Sequence, residues 1–251
     1  MTGSTRELRI RPLLGLPELS DGDRLGSLIA ESAAAAPGDV IVVSQKAVSK
    51  VEGRVRALAD VEPGERALKL AAELDKDPKL VELILGESTR VVRAERGLLI
   101  TETKEGWVCA NAGIDSSNLA DGQVSLLPVD GDASARRIRA EIAAASGASP
   151  ALVIADSFGR AWRVGQADIA IGCAGLEPLE DWRGRHDRDG RELSATVIAV
   201  ADELAAAADL VRDKDSGIPG AVISGAEHLV TADDGPGAAP LRRSAEEDLF
   251  R

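Results

Sequence analysis

The chain has 251 residues, 44% hydrophobic and 29% charged, which is typical of a globular protein with one large core or two small ones. Its formal net charge of −12 argues against nucleic acid as a partner. A Debye length of about 8 Å at physiological salt nevertheless lets a local basic cluster bind an anionic small molecule.

Neither a membrane span nor a secretion signal is predicted. No apolar run approaches the length of a membrane span, and the first residues, MTGSTRELRIRPL, lack the apolar core of a signal peptide. Two cysteines, Cys109 and Cys173, are too few for a disulfide framework. We therefore expect a cytoplasmic protein with no membrane partner.

The first half of the chain alternates helical and extended patterns. A helix is predicted after a cap at Ser20 or Asp21, and the apolar run at 40–43 is typical of a buried strand. Residues 64–84 have helical periodicity, and two β-type runs flank a charged turn at 103–106.

The second half continues this alternation. A helix is predicted at 132–146 with Asp132 or Ser134 as its cap, and another at 194–211, which is apolar nearly all round and should be buried on several sides. Buried strands are predicted at 151–155, 169–171 and 220–224. The fold class is therefore α/β or α+β, with the strand order left open.

Residues 1–230 are predicted to form the folded domain. The segment 231–251 is charged and rich in turn residues, and it resembles a linker or tail. No Walker A loop and no G-x-G-x-x-G fingerprint occurs, which argues against a P-loop or Rossmann fold.

Two groups of acidic and hydroxyl residues each follow an apolar run. Asp156 and Ser157 follow the strand predicted at 151–155, and Asp115 opens the sequence DSSN, which ends at Asn118. If the two aspartates converge, they repel each other by about 4 kcal/mol at 4 Å and an effective dielectric constant of 20, and a bound Mg²⁺ or Mn²⁺ would turn that repulsion into binding. Taken alone, each group is explained equally well as a turn or helix cap.

Cationic side chains supply a second set of candidates. Lys46 and Lys50 follow the strand at 40–43, where an ammonium group could meet a phosphate, although solvated lysines are common in such places. Arg160 and Arg163 flank Trp162, and either could bind a carboxylate or phosphate through two parallel hydrogen bonds. No His or Cys pair has zinc-site spacing, and no G-x-S-x-G nucleophile elbow occurs.

Several long blocks of the sequence occur in one order: GLPEL, PGDVIVVSQKAVSKVEGR, LLITETKEGWVCANAGIDSSN, ADSFGRAWRVGQADIAIGCAGLEPLEDWRGRHDRDGREL and ADELAAAADLV. Together they resemble the coenzyme F-420:L-glutamate ligase family over roughly residues 8–225. The resemblance implies a mixed-sheet, two-part α/β fold, a homodimer and a GTP-dependent ligase. Such an enzyme joins L-glutamate, and in later rounds further γ-linked glutamates, to a deazaflavin coenzyme precursor.

The resemblance also implies roles for individual residues. Asp115 and Asp156 match metal-binding aspartates of the family, and Ser157 matches a metal-binding Thr or Ser position. Mg²⁺ or Mn²⁺ is the implied metal, and a second divalent ion and a monovalent cation are left open. The implied nucleotide-binding residues are Leu16, Pro17, Glu18, Leu19, Gln45, Lys50 and Asn118.

The implied mechanism transfers the γ-phosphoryl group of GTP to the acceptor carboxylate, and the glutamate amine then displaces phosphate from the acyl phosphate. Asp115 and Asp156 would act in catalysis through the metal, and we infer from local chemistry that Arg160 or Arg163 grips a carboxylate or phosphate. Three alternatives remain: a metal-dependent nucleotide phosphohydrolase, a protein that binds nucleotide or deazaflavin without turnover, and a reductase of a deazaflavin precursor, which would require a flavin-dependent domain. The C-terminus is similar to the junction in fusions with a flavin-dependent domain, and a stand-alone ligase and a piece of such a fusion both remain open.

Overall fold

The computed structural model describes residues 6–33 and 35–249. The helices are α1 Leu25–Ser32, α2 Gln45–Val51, α3 Glu65–Leu74, α4 Pro78–Gly86, α5 Gly131–Ser146 and α6 Val200–Asp209. The strands are β1 Arg9–Pro12, β2 Val40–Ser44, β3 Val55–Ala57, β4 Ser88–Glu95, β5 Leu98–Thr103, β6 Val108–Ala110, β7 Gln123–Ser125, β8 Ala151–Arg160, β9 Arg163–Ala174, β10 Glu180–Asp181, β11 Val197–Ile198 and β12 Gly220–Ser224.

A mixed five-stranded sheet in the order β1-β12-β2-β8-β9 forms the larger part of the fold. Strands β2 and β8 run parallel, and the other neighbours are antiparallel. The side chains of residues 40–43 in β2 and 151–155 in β8 are all buried, and since successive side chains point to opposite faces, both faces of the sheet are covered. Helices α5 and α6 pack directly against the sheet, and α1 packs against α5.

A second, smaller hydrophobic core lies outside this sheet. It is formed by apolar residues of α3 and α4, of the three-stranded sheet β4-β5-β6 and of the segments leading to and through β7, among them Leu74, Ile84, Leu99 and Ile114. Two separate cores confirm the two-part, mixed-sheet α/β architecture that the resemblance implies. No described helix is long and apolar enough to cross a membrane.

Most predicted elements are confirmed, with four differences in where helices begin and end. Helix α1 begins at Leu25, because Asp23 accepts a hydrogen bond from the Ser20 N–H at 2.7 Å and so stabilises a turn before the helix. The helical stretch 64–84 is two helices, since Asp75 adopts the left-handed conformation, with φ of 52°, and ends α3. Helix α5 is capped by Asp130, whose carboxylate accepts a hydrogen bond from Ala133, and not by Asp132 or Ser134 as predicted.

The helix predicted at 194–211 is shorter than expected and is not buried all round. Residues 197–198 form strand β11 with β10, and α6 begins at Val200. Only one stripe of α6 is buried, including Leu204 and Ala208, while Glu203 is exposed. The apolar composition of this helix comes mostly from alanines, which half-buried positions tolerate. It therefore does not show that the outer face of α6 is covered by another subunit.

Part of the segment predicted as a linker packs against the rest of the protein. Asp234 accepts a hydrogen bond from Arg139 of α5 at 2.8 Å, and Arg139 also donates to the carbonyl of Thr231. Ala238 is fully buried, and its N–H donates to Asp132 at 2.7 Å. The division of the chain at residue 230 stays a prediction, but residues up to Ala238 do not behave as a free tail.

Candidate active site

A cleft of about 660 Å³ opens beyond the C-terminal end of β2 and along the continuing strand β8. Ligands commonly bind at this edge of a sheet, where the carboxyl ends of parallel strands meet. The lining residues are Leu16–Leu19, Ser44–Ala47, Lys50, Asp115, Ser117, Asn118, Ala155–Ser157, Gln166, Asp168, Asp209 and Arg212–Pro219.

The cleft brings together all the predicted metal-binding and nucleotide-binding residues, namely Leu16, Pro17, Glu18, Leu19, Gln45, Lys50, Asp115, Asn118, Asp156 and Ser157. Their roles in binding stay predictions. Arg160 and Arg163 do not line the cleft, because they stand exposed where β8 turns into β9. The inferred grip of these arginines on the reacting group therefore lacks structural support.

Asp156 lies inside strand β8, whereas the sequence predicted that the strand would end at Ala155 and that Asp156 would begin a loop. Strand β8 continues to Arg160, because after Ala155 it keeps β9 as a partner although it no longer pairs with β2. Lys46 and Lys50 likewise lie on a helix, α2, whose first turn is capped by Ser44. Both elements hold their side chains on regular backbone at the edge of the cleft.

Asp115 is held in its charged form by a lysine and a serine. Lys46 Nζ donates to Asp115 Oδ2 at 2.6 Å and to Ser117 Oγ at 2.5 Å, and the Ser117 N–H donates to Asp115 Oδ1 at 2.9 Å. Burial acts to raise the pKa of Asp115, but the hydrogen bonds from Lys46 and Ser117 outweigh it and lower that pKa below its usual range. An anionic carboxylate with a tethered ammonium partner therefore stands on this side of the cleft.

The segment before Asp115 has an uncommon backbone. Asn111, Ala112 and Gly113 have φ values of 54°, 53° and 70°, so three consecutive residues are left-handed. A left-handed non-glycine residue is uncommon, and such strain persists where surrounding structure fixes it, often at functional sites. A Cβ on Gly113 would meet the Leu127 side chain at 2.7 Å, so glycine is required there. This tight segment carries the chain from β6 to Asp115.

Asp156 has the opposite electrostatic environment from Asp115. Burial, together with the neighbouring carboxylates Asp168 and Asp115, raises the pKa of Asp156 to about 7, against a hydrogen bond from the Ser157 N–H and the charge of Lys46. Asp168 and Asp115 are therefore each close enough to repel the carboxylate of Asp156. A cation at this place would relieve that repulsion.

The pKa of Asp156 predicts how the metal-free protein responds to pH. The unfolded chain releases this proton near pH 3.8, whereas the folded protein keeps it until about pH 7. Between these values the folded state binds more protons, so its free energy of unfolding should fall as the pH rises. Asp156→Asn cannot titrate and should flatten this fall. Melting temperatures from pH 4 to 8 in a chelator measure both slopes, and equal slopes would contradict the placement of Asp156.

Glu105 serves as the internal reference for this measurement. Burial raises its pKa to about 7 as well, so it contributes a slope of the same sign. Glu105 is unchanged in Asp156→Asn, and part of the slope should therefore remain in the variant. The difference between the two proteins isolates Asp156.

A second charged network lies beneath Asp156 and was not predicted. Asp168 is buried and accepts hydrogen bonds from Arg212, also buried, and from Ser157 Oγ at 2.6 Å. Lys214 Nζ donates to Ser157 Oγ at 2.8 Å and lies 3.3 Å from Asp209. The hydroxyl group of Ser157, a predicted metal ligand, therefore donates a hydrogen bond to Asp168 and accepts one from Lys214.

A weak sequence signal pointed to this network. The segment RDKDSGIPG combines four charged residues with turn residues directly before the strand at 220–224, which is typical of a polar loop at a sheet edge. Asp168 gave no such signal, because it stands in an apolar stretch that reads as an ordinary strand. Its role depends on the pairing of β9 with β8, which places it opposite Ser157.

Lys50 and Gln45 occupy the α2 side of the cleft. Lys50 Nζ lies 2.5 Å from Glu18 Oε1, and Glu18 belongs to the loop before α1. Gln45 is buried, and its Oε1 accepts a hydrogen bond from Ser49 at 2.9 Å. The side chain of Glu18 is largely exposed and that of Lys50 largely covered, so an incoming anion could replace the glutamate at the ammonium group.

The carboxylates of the cleft fit a divalent ion that is only partly coordinated by protein. Among the described residues, no three His, Cys, Asp or Glu side chains are arranged to hold a metal by themselves. Mg²⁺ is usually bound by one or two carboxylates together with water and substrate phosphates. Asp115 and Asp156, which lie in one cleft and repel each other, match that donor set.

The chain was compared with protein families and with individual proteins of known name. The sequence pattern of the F420-0:gamma-glutamyl ligase family matches residues 14–225. The coenzyme F420:L-glutamate ligase of Methanothermobacter thermautotrophicus is 42% identical over 243 residues, which cover 94% of this chain and 96% of that protein. The ligase of Methanopyrus kandleri is 41% identical over 251 residues, which cover 99% of this chain and all of that protein. The ligase of Haloarcula marismortui is 42% identical over 244 residues, which cover 94% of this chain and 93% of that protein. The chain therefore belongs to the F420-0:gamma-glutamyl ligase family.

Proposed function

We propose that this protein is a coenzyme F420:L-glutamate ligase that uses GTP to join L-glutamate to the deazaflavin precursor F420-0. The observation that carries the proposal is a cleft with clustered carboxylates and lysine ammonium groups, in a chain more than 40% identical over almost its full length to ligases of that name. The carboxylates suit a metal that binds phosphate, and the ammonium groups suit the phosphates themselves.

The proposed reaction activates the acceptor carboxylate before the amine attacks it. An oxygen of that carboxylate attacks the γ-phosphorus of GTP, the bond from phosphorus to the bridging oxygen breaks, and GDP leaves. The amine of glutamate then attacks the acyl carbon, the carbon–oxygen bond to phosphate breaks, and the nitrogen loses a proton. The products are an amide, GDP and inorganic phosphate, and each step has a better leaving group than oxide.

The residues of the cleft divide this work between them. Asp115, Asp156 and Ser157 would hold Mg²⁺ or Mn²⁺, which supplies neutralisation of phosphoryl charge when bound. Lys50 and Lys46 place ammonium groups on the α2 side of the cleft, where they would contact phosphate oxygens.

We also propose that the enzyme is a cytoplasmic homodimer. This part rests on the family resemblance alone, since helix α6 has only one buried stripe. Sedimentation at micromolar concentration should give twice the monomer mass of 26.1 kDa.

Lys50→Ala should weaken nucleotide binding more than glutamate binding. A hydrogen bond to a charged group contributes about 1.5–3 kcal/mol, which corresponds to roughly a tenfold to hundredfold rise in the dissociation constant for GDP. Calorimetric titration with GDP measures the effect. Lys104→Ala is the matched control, because Lys104 is exposed and lies outside the cleft. An unchanged GDP constant in Lys50→Ala would make Lys50 a solvated lysine paired only with Glu18.

The release of GDP with and without acceptor separates the proposal from its alternatives. A ligase that protects an acyl phosphate should hydrolyse GTP slowly alone and release GDP in step with product when F420-0 and glutamate are present. A phosphohydrolase would turn over GTP rapidly without F420-0. A protein that only binds would release no GDP under either condition.

A further inference from the structure

The hairpin of β8 and β9 extends beyond the main sheet as a two-stranded ribbon. Strand β8 pairs with β2 only as far as Ala155, whereas its pairing with β9 continues to Arg160. The base of the ribbon carries Asp156 and forms one wall of the cleft. The ribbon therefore connects the cleft to an exposed tip at residues 160–163.

One face of the ribbon lacks a side chain at Gly159, between the cleft and the tip. Ser157 pairs with Asp168 and Gly159 pairs with Gln166, so these two cross-strand pairs share a face. Gln166 still lines the cleft, which shows that the cleft extends along the ribbon. Gly159 has no side chain, and a Cβ added there would meet nothing within 4 Å. A flat group could lie against the backbone at this position.

The tip carries an aromatic ring between two guanidinium groups. Trp162 is 85% exposed and Val164 is 99% exposed, which is unusual for large apolar side chains. Trp162 has a φ of 65°, as the two-residue turn between β8 and β9 requires. Arg160 is fixed across the tip by a hydrogen bond from its Nη2 to the carbonyl of Val164 at 3.0 Å. The tip therefore presents a large aromatic side chain to solvent next to two cationic residues.

The charge of the tip differs from that of the protein. Residues 158–167 include Arg160 and Arg163 and no acidic residue, in a chain with a net charge of −12. Indole and guanidinium groups stack on flat π-systems, and guanidinium also binds phosphate or carboxylate. A planar heteroaromatic group with an anionic substituent therefore complements the tip in both shape and charge.

We propose that the ribbon face at Gly159 and the tip at Trp162 bind the planar ring system of the acceptor. The inference rests on the proposed function, because it takes F420-0 as the acceptor whose carboxylate reacts in the cleft. Strand residues advance about 3.3 Å each, so the tip lies on the order of 10–16 Å from Ser157. An elongated acceptor can span that distance with its carboxylate near Asp156 and its ring on Trp162. Arg160 and Arg163 then contact the acceptor away from the reacting atoms.

Direct binding of F420-0 tests the proposal separately from turnover. Equilibrium dialysis with protein saturated with GDP and Mn²⁺ gives the dissociation constant for F420-0. Trp162→Ala should raise it about fivefold to hundredfold, the effect of losing one aromatic stacking partner, and Trp162→Phe should restore most of the affinity. Gly159→Val should also raise it, since the added side chain stands in the open space over Gly159. Gly159 does not have a positive φ, so valine is compatible with the strand.

Controls distinguish this site from a general defect and from a subunit contact. Val129→Ala removes another exposed apolar side chain, at a residue outside the cleft, and should leave F420-0 binding unchanged. Affinity for GDP and the sedimentation mass should stay unchanged in all variants. Normal F420-0 binding by Trp162→Ala, or no F420-0 binding by the unaltered protein, would overturn the proposal. A dimer that dissociates in Trp162→Ala, with GDP and F420-0 both weakened, would instead assign the tip to a second copy of the chain.

Binding of F420-0 and ligation of glutamate, measured side by side, keep the two proposals apart. If the unaltered protein binds F420-0 through Trp162 but forms no amide, the proposed ligase activity fails while the ring site stands. If it ligates glutamate while Trp162→Ala binds F420-0 normally, the activity stands and the ring site fails.

Discussion

Replacing Asp115 or Asp156 with asparagine should reduce glutamate ligation at least about a hundredfold while the protein remains folded. Asparagine keeps the shape of the side chain but removes an anionic ligand, and a metal ion that neutralises phosphoryl charge contributes several kcal/mol to such reactions. The effect should be largest at low Mn²⁺ concentration. A Mn²⁺ titration of ligation, with metal affinity measured by calorimetry, checks both variants.

The stability of the same two variants should move in different directions without metal. Asp156→Asn removes a carboxylate that burial and two neighbouring carboxylates disfavour, so its melting temperature should rise above pH 7. Asp115→Asn leaves Lys46 with a weaker partner, so its melting temperature should not rise. Asp60→Asn, at an exposed position outside the cleft, is the control for a lost charge. Near-normal ligation at low Mn²⁺ in either cleft variant would remove that aspartate from the site.

Arg212→Leu should destabilise the protein more than any other single change considered above. The side chains of Arg212 and Asp168 are 6% and 3% exposed, and breaking a buried ion pair costs about 3–5 kcal/mol. The variant leaves the buried Asp168 with Lys214, which is 70% exposed and 3.8 Å away, as its cationic partner. For a protein of this size, each kcal/mol lowers the melting temperature by about 2–4 °C, so a loss of roughly 6–20 °C is expected. Thermal unfolding without ligands measures it.

Two further variants show whether the unpaired charge is the cause. Replacing both partners, as in Arg212→Leu with Asp168→Leu, should recover much of the lost stability, because no buried charge remains. Arg183→Leu breaks an ion pair with Asp181 in which both side chains are exposed, and it should leave the melting temperature almost unchanged. A melting temperature of Arg212→Leu close to that of Arg183→Leu would contradict the buried network.

The parts of the fold that local sequence patterns determine were predictable. The all-apolar run at 40–43 becomes β2, and the alternation around the charged turn at 103–106 becomes β5 and β6. Helix ends were harder, because Asp23 stabilises a turn before α1 where a cap was expected. Such competition between caps and turns depends on backbone geometry that composition does not reveal.

The residues of the candidate site were predictable where polar residues directly follow an apolar run in the sequence. Asp115 and Asp156 stand out in this way, and the structure brings both to one cleft. Asp168 and Arg212 were not predicted, since each depends on a partner far away in the sequence. Arg160 was expected beside the reacting group, but the unforeseen continuation of β8 carries it along the ribbon to the exposed tip.

The most direct test of the account is incubation of the protein with F420-0, GTP, Mn²⁺ and L-glutamate, followed by mass spectrometry of the deazaflavin. The proposed ligase should give a product heavier by one or more glutamate residues, formed together with GDP and absent when GTP or Mn²⁺ is left out. Asp156→Asn should form almost none of it at the same Mn²⁺ concentration. Unmodified F420-0 after complete conversion of GTP to GDP would contradict the account and identify a phosphohydrolase.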